Sequence, residues 1–522
     1  MKKLAITIAA AAMACGAVAQ NPYMPLWEFI PDGEPYVFED PDKPGQYRVY
    51  VYGSHDNLIK YYCGLDQVAW SAPVDDLTDW RFDGVIFRSD KDANGNAFAQ
   101  ADVLYAPDVT EVVRDGKKEY YLCPNVQNDQ RHSLVAKSDR PDGPFEVVNW
   151  NPDGVTTFGP YAFDPAIFCD DDGRIYGYWG FERSYAAELD PNTMSSVKPG
   201  TEIVEDMVSG RYQDGVFRFF EASSMRKVED KYVFIYSRFT EDGEFGLPTS
   251  NYTLAYAYSD SPLGPWTYGG TIIDGRARDT DENGKVIPTA CPYGNTHGSI
   301  CQINGKWYVF YHRQTGTDEY ARQAMVAPID VKVENGKVII SEAEYTSEGF
   351  LTNGLNPFDR HAAGIACYYT GPTPARQQYP NMFFTGSYIG VVRPAADGLD
   401  MSYSLNHVFS PVVNNTDGSV VGYKYFNFDH FGGRDKAQLL VNMLPSGIDG
   451  EITVMVDSPW ESKGGKAVGT LILGEEDGGK AAVKTIDISG IGDLHGKHPI
   501  FFRFVSPVRG KSICDLYDLQ FK

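Results

Sequence analysis

The chain has 522 residues, 43% hydrophobic and 22% charged, a balance that excludes a disordered protein. A formal net charge of −24 excludes the basic footprint of a nucleic-acid binder and argues against adsorption to an anionic membrane. Aromatics reach 14%, and 52 Gly and 32 Pro supply many turns, so strands and ring-stacking surfaces are favoured over helical bundles.

Residues 1–19 read as a signal peptide. Lys2 and Lys3 form a positive start, Leu4 to Ala14 an apolar stretch, and Ala17-Val18-Ala19 a small-residue cleavage signal before Gln20. Export to the periplasm or the medium is expected, with a lipid anchor at Cys15 as the minor alternative. No later stretch approaches about 18 uninterrupted apolar residues, so no transmembrane segment is expected. The remaining cysteines (Cys63, Cys123, Cys169, Cys291, Cys301, Cys367 and Cys514) are odd in number and show no C-x-x-C spacing. They read as buried small hydrophobes rather than disulfides or metal ligands.

From about residue 30 to 345 one unit recurs: a polar or Gly turn, a Tyr-rich alternating strand, a second strand, then a turn with Pro or Asp-Leu. The copies are Gln46–Ser54 with Asp75–Trp80, GKKEYYLCP from Gly116, DDDGRIYGYWG from Asp170, EDKYVFIYS from Glu229 and NGKWYVFYHR from Asn304. Period-2 alternation marks half-buried strands, and five repeats of such a unit suit a five-bladed β-propeller, in which radial packing buries what one blade cannot. The Asp170-Asp171-Asp172-Gly173 run reads as hairpin turn chemistry, since its spacing is not that of an EF-hand.

Residues 351–370 lack periodicity and read as a linker. From 371 to 522 short alternating strands resume without the blade pattern, as in AQLLVNML from Ala437 and PIFFRFVS from Pro499, and suggest a jelly-roll β-sandwich. The expected fold class is therefore all-β: a propeller over residues 21–350 followed by a sandwich.

Three acids stand in apolar strand contexts at the same phase of their blades: Asp32 in WEFIPDGEPYVF, Asp164 in YAFDPAIF and Glu221 in VFRFFEASSM. Acids are disfavoured on buried strands unless paired or working. Glycoside hydrolysis needs such a set: one carboxylic acid to protonate the leaving oxygen and one carboxylate to activate water. Glu221, flanked by Phe219 and Phe220, suits the acid; Asp32 suits the base; Asp164 could orient the acid and hold up its pKa.

The ordered motifs NPYMPLWEFIPDGEPYVF, YVYGSHD, YAPDV, FDPAIFCDDDGRIYGYWG, FFEASSM, NTHGSI and WYVFYHR resemble glycoside hydrolase family 43 over residues 21–350. The resemblance implies an inverting five-bladed propeller with Asp32 as base, Asp164 as pKa modulator and Glu221 as acid. It also implies an axial role for His297 near a Ca²⁺ ion held mostly by waters, and a sugar contact for Arg322. Trp179 and His55 are weaker substrate-pocket candidates, for which core packing is an equal alternative. Two departures stand out. Gly33 follows Asp32 where Pro is usual, which leaves Glu34 as a rival base, and Glu221-Ala222-Ser223 replaces the common Glu-Gly/Ala-Pro.

The C-terminal domain is similar to carbohydrate-binding module family 6, on GYKYFNFDHF, GEITVMVDSP and DLYDLQF. Tyr379, Trp460 and Tyr403 are its candidate sugar-contacting aromatics; a purely bracing domain is the alternative. Together these readings imply an exported monomer that removes α-L-arabinofuranosyl or β-D-xylosyl units from plant polysaccharide or oligosaccharide, with no redox cofactor. The alternatives are a β-galactosidase or endo-arabinanase on the same scaffold, or a non-catalytic glycan-binding propeller.

Overall fold

A computed structural model describes residues 20–58, 61–391 and 410–522. The expected signal peptide, Cys15 and Tyr403 lie outside the described residues. Among the described residues every regular element is a strand or a short 3₁₀ turn.

Five antiparallel sheets follow one another along the chain. Their innermost strands are Glu34–Glu39, Tyr105–Arg114, Ala166–Cys169, Phe219–Val228 and Ser299–Ile303. Each touches the next, and the fifth returns to the first, so the ring closes with five blades around one axis. The first four blades have four strands and the fifth has three, ending at Arg322–Ile329. The N-terminal segment secures that last strand. The Asn21 amide donates to the Val326 carbonyl at 2.6 Å, and the Val326 N–H donates to Asn21 Oδ1 at 2.9 Å.

The tyrosine richness has a packing reason. A ring between blades buries a large apolar face but must satisfy its hydroxyl. Tyr52 of the first blade donates to the Pro141 carbonyl of the second at 2.7 Å, and Tyr178 of the third donates to Pro262 of the fourth at 2.8 Å. Both acceptors sit in the same D-x-P-x-G-P-aromatic turn, at Asp139–Phe145 and Asp260–Trp266.

The C-terminal domain is two facing sheets. One contains the strands Lys436–Pro445, Ala482–Ser489 and Cys514–Phe521; the other contains Val420–Asn427, Gly450–Val456, Lys466–Leu473 and Lys497–Val505. Part of the segment expected as a linker is structured. His361–Ala362 pairs with Cys514–Phe521, and Tyr368–Thr370 pairs with Val420–Asn427. These pairings are too short to show as alternation in the sequence. One hydrophobic cluster runs from the fourth and fifth blades (Ile235, Val309, Tyr311) into the sandwich (Ile365, Tyr423, Phe502), so the domains share a core. A hairpin of the C-terminal domain, Arg376–Gln378 with Asn381–Phe383, stands apart from both sheets.

Candidate active site

Asp32, Asp164 and Glu221 all line a single cavity of about 650 Å³ where the inner strands converge. Each reaches it through irregular backbone. Asp32 and Asp164 adopt left-handed φ values of 59° and 44°, a region Asp tolerates better than most residues and one concentrated at functional sites. Glu221 sits in a register shift of its strand, next to Ala222 at φ 68°. That bulge re-aims Glu221 and points the Ala222 N–H at Asp164.

Asp32 is held on all sides. Arg322 Nη1 donates to its two oxygens at 3.0 and 3.2 Å, and the Ser54 hydroxyl donates to Oδ2 at 2.6 Å. Its backbone N–H donates to His312 Nδ1 at 3.2 Å. His312 Nδ1 is therefore unprotonated, and Nε2–H donates to the Asn295 carbonyl at 2.9 Å. Burial pushes the His312 pKa down to about 4, consistent with this neutral ring. The approach of Ser54 to Asp32 depends on Gly53, where a Cβ would lie 2.4 Å from the Pro31 carbonyl oxygen. Burial alone would raise the Asp32 pKa, but Arg322 foremost, helped by the Ser54 hydrogen bond, outweighs it and holds the carboxyl below its ordinary value.

Glu221 goes the other way. Burial, then the Asp164 charge, push its pKa well above the ordinary carboxylate value. The apolar wall responsible is an arc of phenylalanines: Phe163–Phe181, Phe181–Phe220 and Phe220–Phe239 have ring centroids 4.8, 4.9 and 4.7 Å apart, and all four rings line the cavity. Asp164 is fixed by the Asn125 amide at 2.7 Å and the Ala222 N–H at 3.0 Å.

The rival acid Glu34 lies elsewhere. It is fully buried, paired with Arg226 at 2.6 Å, and absent from the cavity lining. Arg226 also donates to the Tyr36 hydroxyl at 2.8 Å, which donates to Asp108 at 2.6 Å. Burial, then the Glu34 charge, push the Asp108 pKa up to about 7.

His297 lies in the cavity, as its motif suggested, with Nδ1 3.6 Å from Asp164 and Nε2 3.4 Å from Glu34. Burial would lower its pKa, but these two carboxylates outweigh it and raise it well above the ordinary value. The expected calcium ion, held mostly by waters, would have His297, Asp164 and Glu34 as neighbouring groups. Among the described residues no group of three or more His, Cys, Asp or Glu could hold a metal.

Arg322 also lines the cavity, but its guanidinium is committed to carboxylates, spanning Asp32 and Asp56, the latter at 2.9 and 3.0 Å. Trp179 does not line the cavity. It is 3% exposed, packed against Tyr161 and stacked on Tyr185, which is the core alternative left open by the sequence. His55 does not line it either: it bridges Glu28 at 3.2 Å and Asp66 at 2.7 Å. Burial opposes its charge, but the two carboxylates, Asp66 first, raise its pKa to about 10. Sequence reasoning missed Asp56 and His312, although both stand inside quoted motifs, YVYGSHD and WYVFYHR. It also missed Glu319, Gln377 and the cavity position of Tyr379.

With this geometry in view, comparison with known proteins is direct. Residues 33–336 match the model of the family described as glycosyl hydrolases family 43. The chain belongs to that family and is a glycosidase. A xylosidase/arabinosidase of Thermoclostridium stercorarium is 34% identical over 426 residues, covering 78% of this chain and 82% of that protein. An arabinoxylan arabinofuranohydrolase of Bacillus subtilis is 27% identical over 492 residues, covering 89% and 86%. A solved family 43 arabinoxylan arabinofuranohydrolase from Bacillus subtilis aligns with a TM-score of 0.45 at 21% identity, over 96% of this chain and 97% of that one.

Proposed function

We propose that this glycosidase removes single α-L-arabinofuranosyl or β-D-xylosyl units from xylan-type polysaccharide or its oligosaccharides, with inversion at the anomeric carbon. The observation that carries the reading is the opposite surroundings of two carboxyls lining one cavity: Asp32 is paired with Arg322 and the Ser54 hydroxyl, which favours its charge, and Glu221 is buried in a cavity lined by phenylalanines, which favours its proton. The names of its relatives supply the pentose.

In this reading Glu221 enters the reaction protonated and gives its proton to the glycosidic oxygen as the bond to the anomeric carbon breaks. Asp32, ionised, takes a proton from the water that attacks the opposite face. Water has then added across the bond; Asp32 carries a proton and Glu221 has lost one, and exchange with solvent restores both. Arg322, paired with both Asp32 and Asp56, keeps the base charged and fixed.

The test is to incubate the protein with arabinoxylan, xylo-oligosaccharides, arabinan and arabinogalactan and to follow the first product by proton NMR. Free pentose appearing first with inverted configuration supports the reading. Retained configuration, or only galactose or long arabinan fragments, overturns it.

The profile of kcat/KM against pH is expected to be a bell, with the acid limb set by protonation of Asp32 and the alkaline limb by ionisation of Glu221. Asp164→Asn removes the charge that, after burial, most strongly raises the Glu221 pKa. The Glu221 pKa then falls, and the alkaline limb is expected to move to lower pH while Asp32 still sets the acid limb. An alkaline limb that stays in place would remove Asp164 from this role.

A further inference from the structure

Two residues lining the cavity, Gln377 and Tyr379, do not belong to the propeller. They come from the hairpin Arg376–Gln378/Asn381–Phe383 of the C-terminal domain, with Tyr379 in its tip. Tyr379 is 68% exposed, whereas Asp32, Asp164 and Glu221 are at most 9% exposed. The acids therefore lie deep and the tyrosine ring stands at the mouth. A bare aromatic face in water is an unfavourable surface, and a sugar ring is a partner that would cover it.

The hairpin is fixed against the fifth blade. Asn381 forms an antiparallel bridge with Asp318, and the Met382 N–H donates to the Thr317 carbonyl at 2.9 Å. The Met382 side chain is 2% exposed. Between the domains lies Glu319, 4% exposed, whose carboxyl accepts from the Tyr62 hydroxyl on one side and from the Gln377 amide on the other. A buried carboxyl shared by a propeller tyrosine and a sandwich glutamine sets where the hairpin tip stands.

Resting on the function proposed above, the geometry points to Tyr379 as a stacking platform for the sugar on the leaving-group side of the scissile bond, supplied to the propeller's active site by the second domain. A pentosyl unit whose anomeric carbon lies between Asp32 and Glu221 must send the rest of the glycan out past the mouth, where this ring waits. The C-terminal domain thereby completes the substrate site of the propeller and need not act as an independent glycan-binding module.

The test compares an oligosaccharide with the matching pentosyl fluoride, whose leaving group is too small to reach the mouth. In Tyr379→Ala the ratio of kcat/KM for the oligosaccharide to that for the fluoride is expected to fall about tenfold, mainly through KM. Tyr379→Trp, which keeps a stacking face, is expected to restore most of that ratio. An unchanged ratio in Tyr379→Ala, or a parallel loss on both substrates, would overturn the inference. If the wild-type protein releases pentose from neither substrate, the function proposed above fails instead, and the two failures remain distinct.

Discussion

Glu221→Ala is expected to lower kcat for pentose release from an oligosaccharide by about a thousandfold, within the range general acid catalysis supplies. The same variant should lose only about tenfold on a nitrophenyl pentoside, because nitrophenolate is stable enough to leave without a proton. This asymmetry marks the proton donor. A sugar alkoxide is a poor leaving group and needs the proton that burial against the phenylalanine arc, and then Asp164, keep on Glu221. Removing the carboxyl also relieves Asp164 of a buried neighbour, so loss of fold is not the expected route to inactivity; an unchanged melting temperature would confirm that. Retention of more than a tenth of the oligosaccharide activity would sink the assignment.

Asp32→Asn should behave differently. The amide keeps the size of the carboxylate but cannot take a proton from water, and a loss of about a thousandfold or more is expected on both substrates alike. Whatever the leaving group, the water must still be activated. The substitution also leaves the Arg322 guanidinium with Asp56 as its remaining carboxylate partner. Part of the buried charge is then unpaired, and a stability loss of about 3 kcal/mol is expected alongside the kinetic effect. Equal turnover by Asp32→Asn and wild type would transfer the base role away from this residue. Because Glu34 is buried and held by Arg226, it is not positioned to replace Asp32.

These assignments were legible in the sequence to unequal depth, for physical reasons. The blades could be read because alternation and the turns with Pro or Asp-Leu are local. The three acids could be read because a carboxyl in an apolar stretch contradicts its surroundings, although only Glu221 proves to lie within a strand, Asp32 and Asp164 standing just before theirs. The choice of Asp32 over Glu34 was less visible: the two are two residues apart, and only the turn at φ 59° separates a cavity residue from an axial ion pair. Trp179 and His55 show the limit of periodicity. Every residue of Ile175–Trp179 is buried, since a propeller blade is covered on both faces, so alternation cannot say which side chains look into the site. Tyr379 was visible as an aromatic but not as part of this cavity, because no local pattern reports that one domain reaches into another.

The strand that carries His312 against Asp32 carries Arg313 as its next residue. Arg313 is fully buried, and its guanidinium donates to the carbonyls of Ala366 and Gly364, in the segment leading into the sandwich. Melting the sandwich alone would strip a buried cation of those acceptors and bare the apolar cluster it adjoins. The two halves of the chain are thus expected to lend each other stability, so that a lesion far out in the sandwich also weakens the catalytic half.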